Sequence, residues 1–171
     1  MTSLTITEFS IPNLSGKTAV VTGGSSGIGL GAVQVLLDHH ARVFILDIQP
    51  PPSDISPQAT YIYTDVSSWD SLVDAFATIT CTHKCGIDIA IANAGIIEMD
   101  GKYLGESLTP APTDSAGWEK LKEIEVAKKN RHVDVLLKGT MNMVMLAAKV
   151  MKRQEEGGSI VITSSVTAFL P

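Results

Sequence analysis

Apolar positions along this chain recur with two different periods. The stretches "KTAVVTG" (17–23), "RVFILD" (42–47), "TYIYTDV" (60–66), "IDIAIANAG" (87–95) and "SIVITSS" (159–165) are short runs rich in β-branched residues, and each predicts a strand. Between them the spacing changes. "SGIGLGAVQVLLDHH" (26–40) places Ile28, Val33, Leu36 and Leu37 at helical intervals, and the segment led by Ser67 and Ser68 puts Leu72, Val73, Phe76 and Ile79 on one helical face. Residues 118–153 read as mainly helical, and 96–117 as loop-rich, so that 96–132 forms a variable loop and helix segment. "IQPPPSDISPQA" (48–59) holds four prolines and replaces a crossover helix with a loop, because proline lacks the N–H that a helix interior needs. Strands alternating with helices, and apolar along their length, imply an α/β fold with a parallel sheet covered on both faces.

Composition narrows the picture. With 171 residues, 44% of them hydrophobic, the chain can bury one core, so residues 1–171 are read as a single domain. A formal net charge of -5 opposes the basic footprint of a nucleic-acid binder. The N-terminus lacks a basic stretch followed by an apolar one, and no apolar run reaches the roughly 18 residues of a membrane span. A cytoplasmic protein without nucleic-acid or membrane partners is expected. Cys81, His83 and Cys85 in "CTHKC" supply too few ligands for a closed zinc site, and His39, His40 and His132 have no ligand spacing, so no metal is expected.

The motif that carries chemistry is "TGGSSGIG", Thr22 to Gly29, placed where the first strand turns into the first helix. Gly23, Gly27 and Gly29 allow a tight turn and close approach of a diphosphate, while the backbone amides of Ser25, Ser26 and Ile28 lie at the start of a helix whose free N–H groups favour anions. Asp47 ends the second strand 18 residues after Gly29, near the spacing at which a carboxylate accepts from an adenosine ribose. That acid favours NAD(H) over NADP(H), because it would repel a 2'-phosphate. The expected architecture is a Rossmann-type doubly wound sheet of about five strands. A P-loop is excluded, since no Gly-Lys-Ser/Thr follows the turn.

Taken together, "TGGSSGIG", "DV" (Asp65, Val66), "NAG" (Asn93, Ala94, Gly95), "KGT" in the long helix and "GGSIVITSS" resemble, in order and spacing, the short-chain dehydrogenase/reductase family. The resemblance implies an NAD(P)-binding oxidoreductase acting on an alcohol or carbonyl substrate. By it, Asp65 and Val66 would sit at the adenine, and Asn93 to Gly95 would hold the fourth strand beside the cofactor ribose. Ser165 matches the family's substrate-positioning serine.

Three other members of the family's catalytic set have no counterpart. Leu136 stands at the position of the relay asparagine, and Asn142, six residues on, lies about 240° around the helix from it. No tyrosine has a lysine four residues later: Tyr61, Tyr63 and Tyr103 are followed at that distance by Asp65, Ser67 and Ser107. The chain therefore reads as C-terminally truncated before the Tyr-x-x-x-Lys helix. Alternatives are a non-catalytic dinucleotide-binding pseudoenzyme or partner subunit, and a cofactor-independent isomerase or cyclase that reuses the pocket. Apolar residues spread around the long helix predict a homodimer or partner contact through 133–153 and 159–165.

Overall fold

The computed structural model describes residues 11–55, 57–96, 110–123 and 131–165. Five parallel strands form one sheet: β1 (Thr18–Thr22), β2 (Arg42–Asp47), β3 (Thr60–Tyr63), β4 (Ile89–Ala92) and β5 (Ser159–Ile162). Their order is β3-β2-β1-β4-β5, the doubly wound arrangement anticipated from the sequence. Helix α1 (Gly27–Asp38) crosses from β1 to β2, and α2 (Trp69–Ala77), prolonged by a π-helical turn (Thr78–Thr82), from β3 to β4. α3 (Ser115–Glu123) follows, and then a π-helical segment (Val133–Gly139) running straight into α4 (Thr140–Met151). The proline-bearing connection between β2 and β3 holds no helix among its described residues.

Alternation along the strands feeds two cores. Val20, Phe44, Leu46, Ala90 and Ala92 point to the face covered by Phe76, Ile79, Met143, Ala147 and Met151. Ala19, Val21, Val43 and Ile45 point to the other, under Val33, Leu36 and Ile55. At β1 and β2 both faces are buried, which is why these strands lack polar alternation.

The strands end sooner than their apolar runs. β4 stops at Ala92, the partner of Thr22 at the end of β1, because the next amides turn away: Asn93 N and Ala94 N donate to Thr22 Oγ1 at 3.0 and 3.2 Å. β3 stops at Tyr63, and Asp65 begins a side-chain turn. β5 is not a buried strand as its composition suggests, since Val161 and Ile162 are both about half exposed (51% and 54%) at the sheet margin. Helix α4 buries Met143, Ala147 and Met151 and leaves Met141 and Met145 exposed.

One side chain joins the end of α4 to the start of β4. Gln154 Oε1 accepts from Ile87 N at 2.7 Å, while Nε2 donates to Ile87 O at 2.9 Å and to Gly157 O at 2.7 Å. At the same end of the sheet Lys17 Nζ pairs with Asp88 (3.1 Å) and Glu156 (2.7 Å).

Candidate functional site

At the opposite end, the carboxyl ends of β1, β2 and β4 frame a crevice. β1 pairs with β2 on one side and with β4 on the other, so consecutive crossovers diverge there, the place where open parallel sheets bind ligands. The turn after β1 is held by Gly23 N donating to Leu46 O at 2.9 Å. Gly23 itself has φ +67°, and a Cβ on it would meet Ala94 Cα at 2.7 Å. A side chain is excluded at that residue on both counts. Gly29 is equally constrained by packing, since its Cβ would fall on the Gly23 carbonyl oxygen.

Ser26 is the N-cap of α1, but its hydroxyl makes no capping hydrogen bond, and no acidic side chain lies in the first turn. The amides opening this 12-residue helix thus keep their positive end for an external anion. Ser26, Gly27 and Ile28 are exposed around that end, Ile28 to 75%, whereas Ser25 and Gly29 are buried beneath. The residues present fit a diphosphate: donors left free at the helix start, open space beside Gly27, and no acidic residue in the helix's first turn.

Asp47 stands next to this cradle. Its Oδ2 accepts from Ser25 N at 3.0 Å and its Oδ1 from Gln49 N at 3.0 Å, while Ser25 Oγ donates to Gln49 O at 2.6 Å. The carboxylate is therefore oriented before any ligand arrives, with lone pairs left over for further donors. Behind it, Tyr61 OH donates to Asp47 O at 3.2 Å, and burial, with the charge of Asp47 second, raises the phenol above its ordinary 10.0.

On the other wall Asn93 ties three elements together: Nδ2 donates to Gly23 O at 3.3 Å, and Oδ1 accepts from Thr163 Oγ1 at 3.0 Å. Asp65 is differently employed. Its Oδ1 accepts from Ser67 N (2.9 Å) and Ser67 Oγ (2.6 Å), building the turn before Ser68, the N-cap of α2, whose hydroxyl accepts from Ser71 N. Val66 is buried, and the Cα of Gly139 packs so closely on it that a Cβ there would lie 3.0 Å from Val66 Cγ2. Gly95 is exposed, with Ala94 half-buried before it, and a Cβ on Gly95 would be 3.3 Å from Leu136 Cδ2. Leu136, 46% exposed, thus borders the crevice from the π-helical segment. Ser165 is exposed, three residues past the end of β5. Tyr103 lies outside the described residues.

Sequence reading missed Thr22, Gln49 and Thr163. Thr22 could have been found from its place opening "TGG", but its partners depend on which strand lies beside β1. No group of three or more His, Cys, Asp or Glu suited to a metal occurs among the described residues. None of their helices is long and apolar enough to cross a membrane.

A doubly wound sheet with a glycine-rich turn, an uncapped helix start and an acid at the next strand end defines a dinucleotide-binding α/β protein. The family model for short chain dehydrogenase matches residues 17–171, and the chain belongs to that family of oxidoreductases. It is 41% identical over 173 residues to the short-chain dehydrogenase/reductase prx4 of Penicillium roqueforti, an alignment covering 100% of this chain and 47% of that protein. It is 39% identical to the short-chain dehydrogenase/reductase ATR7 of Stachybotrys chlorohalonatus, covering 100% of this chain and 50% of the relative. The NADP-dependent dehydrogenase clz5 of Cochliobolus lunatus is 38% identical over 114 residues, 60% of this chain and 40% of that one. Among solved structures, a short-chain type dehydrogenase/reductase from Mycobacterium marinum superimposes with a TM-score of 0.70 at 26% identity, covering 92% of this chain and 57% of its own. The chain spans about half the length of the curated relatives it matches.

Proposed function

We propose that residues 1–171 form a single NAD(H)-binding domain of an oxidoreductase that acts on alcohol or carbonyl substrates in the cytoplasm. The observation that carries the cofactor choice is the carboxylate of Asp47, held by the Ser25 and Gln49 amides beside the glycine turn. A free ribose 2'-hydroxyl can donate to it, while a 2'-phosphate meets its charge, and no lysine or arginine lies in "GGSSGIG" to offset that repulsion. On this reading the NADP-dependence named for clz5 does not extend to this chain. When bound, the nicotinamide cofactor supplies a hydride. Gly23, Ser25, Ser26, Gly27, Ile28 and Gly29 would hold the diphosphate, Asp47 the adenosine ribose, the backbone of Asp65 and Val66 the adenine, and Asn93, Ala94 and Gly95 the second ribose. Ser165 would position the substrate oxygen.

A second reading, a dinucleotide-binding pseudoenzyme, is favoured by one observation. Leu136, which offers no hydrogen bond, borders Gly95 where a relay asparagine is expected. With no Tyr-x-x-x-Lys pair among the 171 residues, this chain by itself should bind cofactor without turning it over. Titration of its intrinsic fluorescence with NADH, followed by an NADH-oxidation assay over a panel of ketones, tests both readings. Saturable binding with oxidation at the buffer rate is expected. Absence of binding would overturn the cofactor assignment, and ketone-dependent oxidation would overturn the incomplete catalytic set.

A further inference from the structure

At the end of the sheet away from the crevice, four side chains converge that take no part in the site described above. Arg42 opens β2, and its guanidinium lies 5.2 Å from the centre of the Phe44 ring. Nη1 donates to Cys85 Sγ at 2.7 Å, and Nη2 lies 3.2 Å from His83 Nδ1, which accepts when the imidazole carries its proton on Nε2. The His83 ring meets Phe44 edge-on, with centroids 5.1 Å apart. Cys85 Sγ also donates to His83 O at 3.2 Å. The turn that presents these groups is specified by its backbone: His83 N bonds to Thr78 O, Cys85 N to Ile79 O, and Lys84 between them has φ +52°. Cys81, four residues earlier, is more exposed, and its Sγ lies 3.7 Å from Thr80 Oγ1.

We propose that Cys85 is a site of two-electron oxidation by hydroperoxides, activated by the Arg42 guanidinium. The thiolate is the nucleophile in such reactions, and a fixed cation in hydrogen-bond contact stabilises the negative sulfur. Attack forms an S–O bond and breaks the O–O bond. Sulfur is oxidised to the sulfenic acid, the peroxide is reduced, and its departing oxygen takes up a proton equivalent to the one the thiol released, leaving as water or an alcohol. Arg42 has further N–H groups that can donate to that departing oxygen. Oxidation removes the S–H that donates to His83 O, a bond internal to the turn before β4, and leaves the sulfenic O–H in its place. Arg42 and Asp47 are the two ends of β2, five residues and about 17 Å apart along an extended strand, so this chemistry is separate from cofactor binding.

Two cysteines of different exposure in one chain provide an internal comparison. The full chain is treated with hydrogen peroxide below stoichiometry, sulfenic acid is trapped with dimedone, and the adducts are quantified by peptide mass spectrometry. Cys85 is expected to be labelled ahead of Cys81 although it is the less exposed. Labelling that follows exposure, with Cys81 first or the two equal, overturns the proposal. In Arg42→Gln the Cys85 rate should fall about three- to fivefold, in line with loss of one partly exposed ionic contact, with Cys81 unchanged and Arg42→Lys restoring part of the rate. An unchanged Cys85 rate in a folded Arg42→Gln protein overturns the role of the guanidinium. Should that variant fail to fold, the unmodified protein still answers through charged thiol reagents: an anionic aromatic disulfide should outpace a cationic one at Cys85 more than at Cys81, and equal preference at the two overturns the proposal.

Discussion

The backbone amide of Ser25 donates to the Asp47 carboxylate at 3.0 Å, so the turn after β1 and the end of β2 are joined before a ligand binds. Removing the carboxylate should therefore act on two things at once, the ribose contact and the shape of the turn. Asp47→Asn keeps an acceptor for one of the Ser25 and Gln49 amides, turns its NH2 toward the other, and loses the charge. It should weaken NADH binding about tenfold, as expected for a charge-assisted hydrogen bond exchanged for a neutral one, and narrow the preference over NADPH. Asp47→Ala should weaken NADH binding further. Calorimetric titration of both cofactors checks this, and equal affinities of the unmodified protein for NADH and NADPH would refute the assignment.

Two glycines of α1 separate a steric need from a general one. A Cβ at Gly29 would fall on Gly23 O and come within 2.8 Å of Gly23 C, so Gly29→Ala must push the turn out of shape. It should cost about 1–3 kcal/mol of stability and abolish measurable NADH binding. Gly31 has nothing within 4 Å of the same position, and Gly31→Ala should stabilise the helix by up to about 1 kcal/mol. Urea unfolding of the pair decides, and a similar loss in both would mean that the turn tolerates neither for reasons other than contact.

Thr22 is almost fully buried, and its hydroxyl oxygen accepts from two consecutive amides, Asn93 N and Ala94 N. Thr22→Val preserves shape and removes the acceptor. Two amides at the end of β4 then lose their partner, at about 1–3 kcal/mol for the buried share. The midpoint of urea unfolding should fall, and NADH affinity should fall with it, because Asn93 and Gly23 move together. A loss of stability with unchanged affinity would separate the strand end from the site.

Lys17 provides a pH-dependent case. Hydrogen bonds to Glu156 and then Asp88, with the charges of both, raise its ammonium above the ordinary 10.5. A raised value means that the folded chain holds the proton more tightly than the unfolded one. The contribution is therefore fully present below 10.5 and is lost as pH rises through the higher folded value. Lys17→Ala should lower the urea midpoint slightly at pH 7, and the difference from the parent should close in strong alkali. A gap that widened there would reverse the sign of the linkage.

Val133, Leu137, Met141 and Met145 recur every four residues and are each 42–61% exposed, forming an apolar stripe on the π-helical segment and α4. We propose that a second copy of the chain covers it, through 133–153 together with β5. Size exclusion with light scattering should give a dimer, and Met141→Glu should yield monomer. A monodisperse monomer of the unmodified chain at tens of micromolar would remove the proposal.

The strands and their parallel arrangement were legible because runs apolar along their length must be covered on both faces, a requirement visible in Val20, Val21, Phe44 and Ile45 without coordinates. Strand ends were not. Asn93, Ala94 and Gly95 follow the apolar run directly and were read as part of the strand, and only the geometry of Thr22 shows that the amides of Asn93 and Ala94 leave the ladder. The glycine turn and Asp47 were read from spacing alone, since both belong to one local crossover. Contacts made by residues far apart in sequence, such as Thr163 with Asn93, leave no mark in any single segment. Asp65 shows the reverse difficulty: its carboxylate is spent locally on Ser67, so the residue's motif says less about a ligand than about the turn it builds.

Gln154 offers Ile87 the same pair of bonds, one accepted and one donated, that a residue on an adjacent strand would offer. The carboxyl end of α4 is thereby pinned like the fixed end of a beam, and sliding the helix along its axis would break all three of the amide's bonds together. Leu136, which borders the crevice, lies four residues before the start of α4, a 12-residue helix about 18 Å long. Leu136 itself sits in Val133–Gly139, where the hydrogen-bond ladder slips by one residue, which makes that segment the compliant joint. A ligand that presses on the crevice wall at Leu136 should thus be met by rotation within the π-helical turn, while the rest of α4 stays at its station on the sheet.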